Sequence, residues 1–353
     1  MKRILFILLS VLSIPGTAQN GISPFLSGVN EGITYSLPDT RIEVTVEAAC
    51  ITRIPGEFNK YAERFLRIGN TVSKQESYWE LGDIQVSLGG KPNPEKMYTI
   101  KLGSAGTAAN ISKNDSGIIA SINTKQSKAE TPSGIPERKT REKIDAGRYM
   151  TEEMLQATST ARLAELTAKE IYTIRESKLA ITRGLSENMP KDGLSMQLVL
   201  DELDKQERAL TEMFTGRTDT TYSKVIYTIE PTAECDTAKA VLFRFSRKLG
   251  VLEKDDLAGS PVYYSLKDLK SVKFPTPEEL AKKKTVKKEG VCYNIPGKAE
   301  FEVYTPTRIL HRSEIPLAQL GTTEVLSRTL FGKDTDTKVM FDTATGAIIS
   351  IEK

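Results

Sequence analysis

From Ile42 onward the chain alternates: Ile42, Val44 and Val46 fall on one side, Glu43, Thr45 and Glu47 on the other. A period of two is the pattern of a half-buried strand. Pro38, just upstream, is placed to end one strand and open a turn. The phrase carrying this pattern, GITYSLPDTRIEVTV at 32–46, returns as GVCYNIPGKAEFEV at 290–303. There Pro296 replaces Pro38, Phe301 and Val303 point inward, and a one-residue bulge keeps phase. A second echo aligns LGGKPNPEKMYTI at 88–100 with LFGKDTDTKVMFD at 330–342, matching Leu88, Gly90, Lys91 and Lys96 to Leu330, Gly332, Lys333 and Lys338. Both are polar turns between apolar strands. Two echoes in one order predict a duplicated β unit, although hairpins that share turn chemistry also produce matches this short.

Between the copies the period changes. In the first unit, FNKYAERFL sets Phe58, Tyr61, Ala62 and Phe65 on one helical face. Strands are expected around Trp79–Leu88, Met97–Leu102 and Ile118–Ile122, with Asn114 to Gly117 as the turn before the last. Residues 124–143 are polar and proline-bearing, the composition of a linker. Then Met150, Met154, Ala157, Ala161, Ala164, Ala168 and Ile171 step by four and three, predicting about six turns of helix. Leu163, Leu166 and Ile174 widen the stripe, and Gly184 stops it. A second stripe of Met196, Val199, Leu203, Gln206, Leu210 and Met213 starts behind Asp192 as N-cap and ends at Gly216. The short polar link predicts an antiparallel helical hairpin. Strand patterns resume at VIYTIEP, AVLFRFS and PVYYSLKDL, a short helix follows Pro277, and KVMFDTATGAIISIE reads as a closing hairpin turning at Thr345-Gly346.

The predicted fold class is therefore α+β: two similar antiparallel β-rich units with a long antiparallel helical hairpin inserted between them. The expected divisions are a signal peptide at 1–18, a β-rich unit with a short helix at 19–125, a linker at 126–147, the hairpin at 148–216 and a second β-rich unit at 217–353. The signal reading rests on Lys2 and Arg3, the apolar run Ile4 to Ile14, and small residues before a cut between Ala18 and Gln19. That run is too short to span a bilayer. Export to the periplasm or cell surface is expected, with no integral span after cleavage.

Charge narrows the chemistry. The 49 basic and 46 acidic side chains nearly cancel, which argues against a nucleic-acid footprint. Export permits one disulfide among Cys50, Cys235 and Cys292, with three possible pairings; buried free thiols are the other reading. His311 is the only histidine, and no CxxC spacing occurs, so a zinc site lacks ligands. A serine triad would need His311 beside a nucleophile and a carboxylate, and no nucleophile elbow is present. Surface histidine is the plainer reading of His311, and a cysteine nucleophile meets the same objection. Asp255-Asp256 and Asp334-Thr335-Asp336 are the densest acid clusters; both look like turn chemistry, and the second lacks the glycine and glutamate of a calcium loop. Tyr78-Trp79 could stack on a sugar or peptide but fits a core position at a strand start better. Lys282 to Lys284, Lys287 and Lys288 read as a solvated run. Arg175, Glu176, Lys205 and Arg208 mark the outer side of the helical hairpin. No catalytic, cofactor or metal residue is assigned, and no cofactor is expected.

The strings YSLPDTRIEVTVEA, PGEFNKYAERFL, MTEEMLQATSTARLAELTAKEIYTIRE, ALTEMFTG and TKVMFDTATGAIISIE resemble an uncharacterised family of secreted Bacteroidetes proteins, known as a domain of unknown function. The resemblance covers most of the chain beyond residue 18 and implies export in a Gram-negative bacterium. It supplies no site residues. The expected function is a non-enzymatic binding or scaffold module of the envelope, with a protein partner meeting the hairpin or a sheet edge. The alternative is an envelope hydrolase acting on glycan or peptide through paired carboxylates.

Overall fold

The computed structural model describes residues 32–101, 111–124, 143–186, 192–234, 236–273, 290–331 and 337–352. The Ala18–Gln19 cut, Cys235, Asp334 to Asp336, the helix after Pro277 and the lysines at 282–288 lie outside them. As the periodicity predicts, the fold is mixed: antiparallel sheets with a helical hairpin between the β-rich regions of the chain.

One strand organises the molecule. β1 (Gly32–Ile54) is long enough to span about 75 Å at the usual rise per residue. It pairs on one side with β2 (Glu76–Lys101) and on the other with β5 (Arg217–Ile229). Opposite this sheet stands a second one, in the order β10-β9-β8-β6-β7. Its strands are β6 (Thr237–Ser246), β7 (Gly250–Leu252), β8 (Ser260–Asp268), β9 (Gly290–Tyr304) and β10 (Ile309–Ser327). A third, smaller sheet runs β12-β11-β4-β3, from β3 (Ile111–Lys113), β4 (Ile119–Ile122), β11 (Lys338–Phe341) and β12 (Ile348–Glu352).

Three apolar cores lie along β1. Its start contributes Tyr35 and Leu37 to a core with Ile119, Ile122, Val339 and Phe341 under the small sheet. Its middle contributes the alternating Ile42, Val44 and Val46 to the sandwich core, against Phe243, Val262, Phe301 and Val303. Beyond its end, Phe58 enters the helical core. The echoed phrases at 32–46 and 290–303 thus begin two long strands. They touch where they start: the Tyr35 hydroxyl donates to the Cys292 carbonyl (3.1 Å) and accepts from its N–H (2.7 Å).

Several expectations change. The phrase 88–100 is not a turn between strands; it lies inside β2, held by pairing of Pro92 with Pro38 and Gly90 with Thr40. A Cβ at Gly90 would meet the Thr343 carbonyl oxygen, so the glycine there permits close approach rather than a turn. Its supposed counterpart starts in a 3-10 turn (Arg328–Phe331) and ends at β11, so the second echo joins unlike elements. At residue 217 helix gives way to strand, and the pairing of that strand is what differs from expectation. β5 follows the helical hairpin but returns to β1, and β4 pairs with β11. The two β-rich regions of the sequence therefore interleave rather than stand as separate units. Glu47, expected to face outward, is 1% exposed beside a register shift between Val46 and Ala48.

The helical region keeps its hairpin, and its long first helix starts later than the stripe predicts. A 3-10 turn (Ala146–Tyr149) precedes α2 (Glu152–Leu155), which follows the small α1 (Ala62–Leu66) in chain order. The main helix, α3 (Thr160–Thr182), starts only where the Ser159 hydroxyl accepts from the Arg162 N–H. Ala161 is exposed as a result, while Ala164, Ala168 and Ile171 are buried as expected. Gly184, at φ 71°, closes α3 with N–H bonds from Gly184 to Ile181 and from Leu185 to Ala180. α4 (Gly193–Thr215) starts as predicted, with the Asp192 carboxylate accepting from the Ser195 N–H at 2.9 Å.

Candidate functional site

The inner half of the helical hairpin is fully employed. Ala164, Ala168, Ile171 and Ile174 of α3 meet Leu210 and Phe214 of α4, and both helices cover Phe58, Ala62 and Leu66. Phe58 and Phe214 meet edge to face at 5.3 Å. Further out the contact becomes ionic. Lys178 bonds Asp204 and also Glu207 (2.8 Å), and Arg175 bonds Glu207 (2.6 Å). The bond to Asp204, then that to Glu207, raises the Lys178 pKa; burial opposes ionisation of Glu207, but Lys178 and Arg175 outweigh it and hold that carboxyl below its ordinary range.

The outer end is different. Leu185, Leu194 and Leu198 expose 73%, 81% and 72% of their surfaces, and Leu179 and Val199 are exposed beside them. Leu194 and Leu198 are one turn apart on α4, on one face. A groove of about 650 Å³ begins at Leu198 and Val199 and continues along Asp201, Glu202, Lys205 and Arg208. Single exposed leucines are ordinary; several at the end of one helical hairpin make an apolar surface patch. Of the four charged residues expected on this side, Arg175 is turned into the helix seam, whereas Lys205 and Arg208 border the groove and Glu176 is exposed.

The other candidates fall apart on inspection of their neighbours. The His311 Nε2 shares a 2.9 Å hydrogen bond with the Ser313 hydroxyl. Among the described residues no carboxylate bonds its ring, so the pair lacks the third member of a triad. Burial lowers the His311 pKa. The folded protein therefore favours the neutral ring, while the unfolded chain takes up its proton near the ordinary value of about 6.5. Stability from this group is complete above that value and is lost as pH falls through the lower folded value. In urea titrations from neutral to mildly acid pH, His311→Gln should lose less stability on acidification than the wild type; parallel curves would contradict this.

Cys50 and Cys292 are free thiols, so they do not bridge one another. Burial pushes the Cys292 thiol up, away from the thiolate a nucleophile needs. Asp256 caps a surface turn, accepting from the Ala258 N–H. Trp79 packs against Gly250, and its main-chain N–H donates to the Arg247 carbonyl, tying β2 to the opposite sheet. Tyr78 has Arg247 over its ring at 4.5 Å and Arg53 at 5.7 Å. Glu57, Asp145 and Glu212 border a groove of about 380 Å³ between the end of β1 and α4. Asp145 is engaged by the Gly147 N–H at 2.9 Å, and neither a histidine nor a cysteine lines the groove. No three metal-ligating side chains gather among the described residues.

Residues 31–349 match the family model described as Domain of unknown function (DUF4831). The chain belongs to that family. No curated protein and no solved structure matches it. For DUF4831, then, the geometry of this chain carries the functional argument. No described helix is long and apolar enough to cross a membrane.

Proposed function

We propose that this DUF4831 protein is an exported, non-enzymatic binding or scaffold component of the bacterial envelope, docking a protein partner through the outer end of its helical hairpin. The observation that carries this reading is the cluster of Leu185, Leu194 and Leu198, exposed beyond the last buried contact between α3 and α4. The groove beside it mixes acids with Lys205 and Arg208. The partner suited to it presents an apolar groove rimmed by charges of both signs. Export rests on the basic start, the apolar run to Ile14 and the Ala18–Gln19 junction.

The test uses a photo-crosslinker at Val199 in the full chain expressed in its native envelope. A defined adduct is expected with the wild-type hairpin and its loss with Leu194→Asp combined with Leu198→Asp. Both side chains are surface-exposed, so these changes should alter stability by no more than about 0.5 kcal/mol each. An adduct that survives the double substitution removes the hairpin from the docking surface. Turnover of a cell-wall glycan or peptide by purified protein overturns the non-enzymatic reading. Recovery of a cytoplasmic chain still carrying residues 1–18 overturns export.

A further inference from the structure

The small sheet contains the repeat that the second echo missed. Its hairpins are β3–β4 and β11–β12. Gly117-Ile118-Ile119-Ala120-Ser121-Ile122 and Gly346-Ala347-Ile348-Ile349-Ser350-Ile351 share Gly, Ile, Ser and Ile at matching places. Both glycines have positive φ, 82° and 76°. The register agrees as well: Ile111 pairs with Ile122 and Ser112 with Ser121, while Val339 pairs with Ile351 and Met340 with Ser350. β4 is thus the counterpart of β12, and β3 that of β11.

The two hairpins join through β4 and β11, where Ile122 faces Val339 and Ser121 faces Met340. One row therefore crosses the whole sheet: Ile111, Ile122, Val339, Ile351. The edge of β4 that receives β11 has its equivalent on β12, and among the described residues no strand covers that edge. Ile349 and Ile351 there expose 60% and 45% of their surfaces. The long edges are guarded: β2 carries Pro92 and Pro94, β10 carries Arg312, Glu314 and Pro316, and β5 carries Arg217, Asp219 and Lys224, while β7 is only Gly250–Leu252. β12 has neither proline nor lysine, and its one charge, Glu352, sits at its last position opposite Lys338. Proline and charge are the usual means of preventing edge pairing.

We propose that β12 accepts β3 of a second copy of this chain, placing Ile111 of that copy opposite Ile351 and Ser112 opposite Ser350. The contact repeats the β4–β11 junction already inside the molecule, in antiparallel sense and in register. It is head-to-tail, because each added copy leaves one β3 and one β12 unpaired, so association is open-ended. The short strands make each contact weak, and assembly depends on concentration.

Sedimentation of the full chain tests this with two variants, Ile351→Lys and Ile111→Lys. Wild-type mass should rise continuously with concentration. Each variant alone should remain a single chain, having lost one of the two edges. Mixed in equal amounts, the variants should form a two-chain species and nothing larger, since each supplies the edge the other lacks. A wild type that stays monomeric overturns the proposal, as does a mixture that does not pair. Dimers of Ile111→Lys alone would show symmetric β12–β12 pairing and overturn it too. Should either variant melt early, Ser350→Lys and Ser112→Lys replace them, acting on the same two strands from the opposite face.

Discussion

Replacing Asn294 with leucine should destabilise the protein by about 3–5 kcal/mol, because it strands two carbonyls at once. Asn294 is 1% exposed. Its amide donates to the Pro38 carbonyl (3.1 Å) and the Thr345 carbonyl (2.9 Å), and its oxygen accepts from the Thr323 hydroxyl (3.3 Å). Its own N–H bonds the Gly346 carbonyl at 2.9 Å. One side chain thereby joins β1, β10 and the turn between β11 and β12. Leucine fills the volume but leaves two carbonyls without a donor, while the Thr323 hydroxyl keeps Tyr98 as a partner. Each such group costs about 1–3 kcal/mol when no water reaches it. Thr323→Val, which strands no carbonyl and removes only the partly buried hydroxyl shared by Asn294 and Tyr98, should cost only about 1 kcal/mol on the same scale. Urea unfolding of the two variants measures the contrast. Equal, small losses would mean that water reaches the junction and takes over the bonds.

Phe214→Ala should cost a similar amount, about 3–5 kcal/mol, but the loss should appear in one part of the molecule. Phe214 is fully buried against Phe58, and its core is separate from the sandwich core and from the core under the small sheet. A cavity there loosens what holds α3 and α4 to the end of β1. Separate cores open as separate cooperative units when few buried contacts join them. Amide exchange should therefore accelerate across 160–182 and 193–215 and change little in β9 and β8. Equal acceleration in the sheets would show that the helical region and the sandwich unfold together.

Much of the fold was legible locally. The alternation at Ile42, Val44 and Val46, the N-cap at Asp192, the stop at Gly184 and the closing turn at Gly346 each follow from side-chain spacing or from a backbone angle that one residue type tolerates. The candidate site was legible in part. Periodicity placed Leu203 and Leu210 in the seam, but Leu194 and Leu198 became visible as a surface cluster only once the inner half of the hairpin was seen to have consumed the available cover. The start of the first long helix was placed too early because the Met/Ala stripe ran straight through Ser159, whose hydroxyl caps α3 by accepting from the Arg162 N–H. At β2 the reverse happened. Gly89, Gly90, Pro92 and Pro94 have turn chemistry, and tertiary contact overrode it by pairing Pro92 with Pro38 and bringing Thr343 against Gly90.

Periods of two and 3.6, caps and positive-φ glycines are properties of neighbouring residues, so the sequence by itself determined the apolar alternation of Ile42, Val44 and Val46, the helical hairpin and the closing turn at Gly346. Which strand lies beside which was decided only in three dimensions. β5 returns to β1 across the whole hairpin, and β4 meets β11 across more than half the chain, because pairing depends on matching buried faces at a distance. Among the described residues, the same long-range choice leaves β12 at the edge of its sheet, and Leu194 and Leu198 stay exposed on α4.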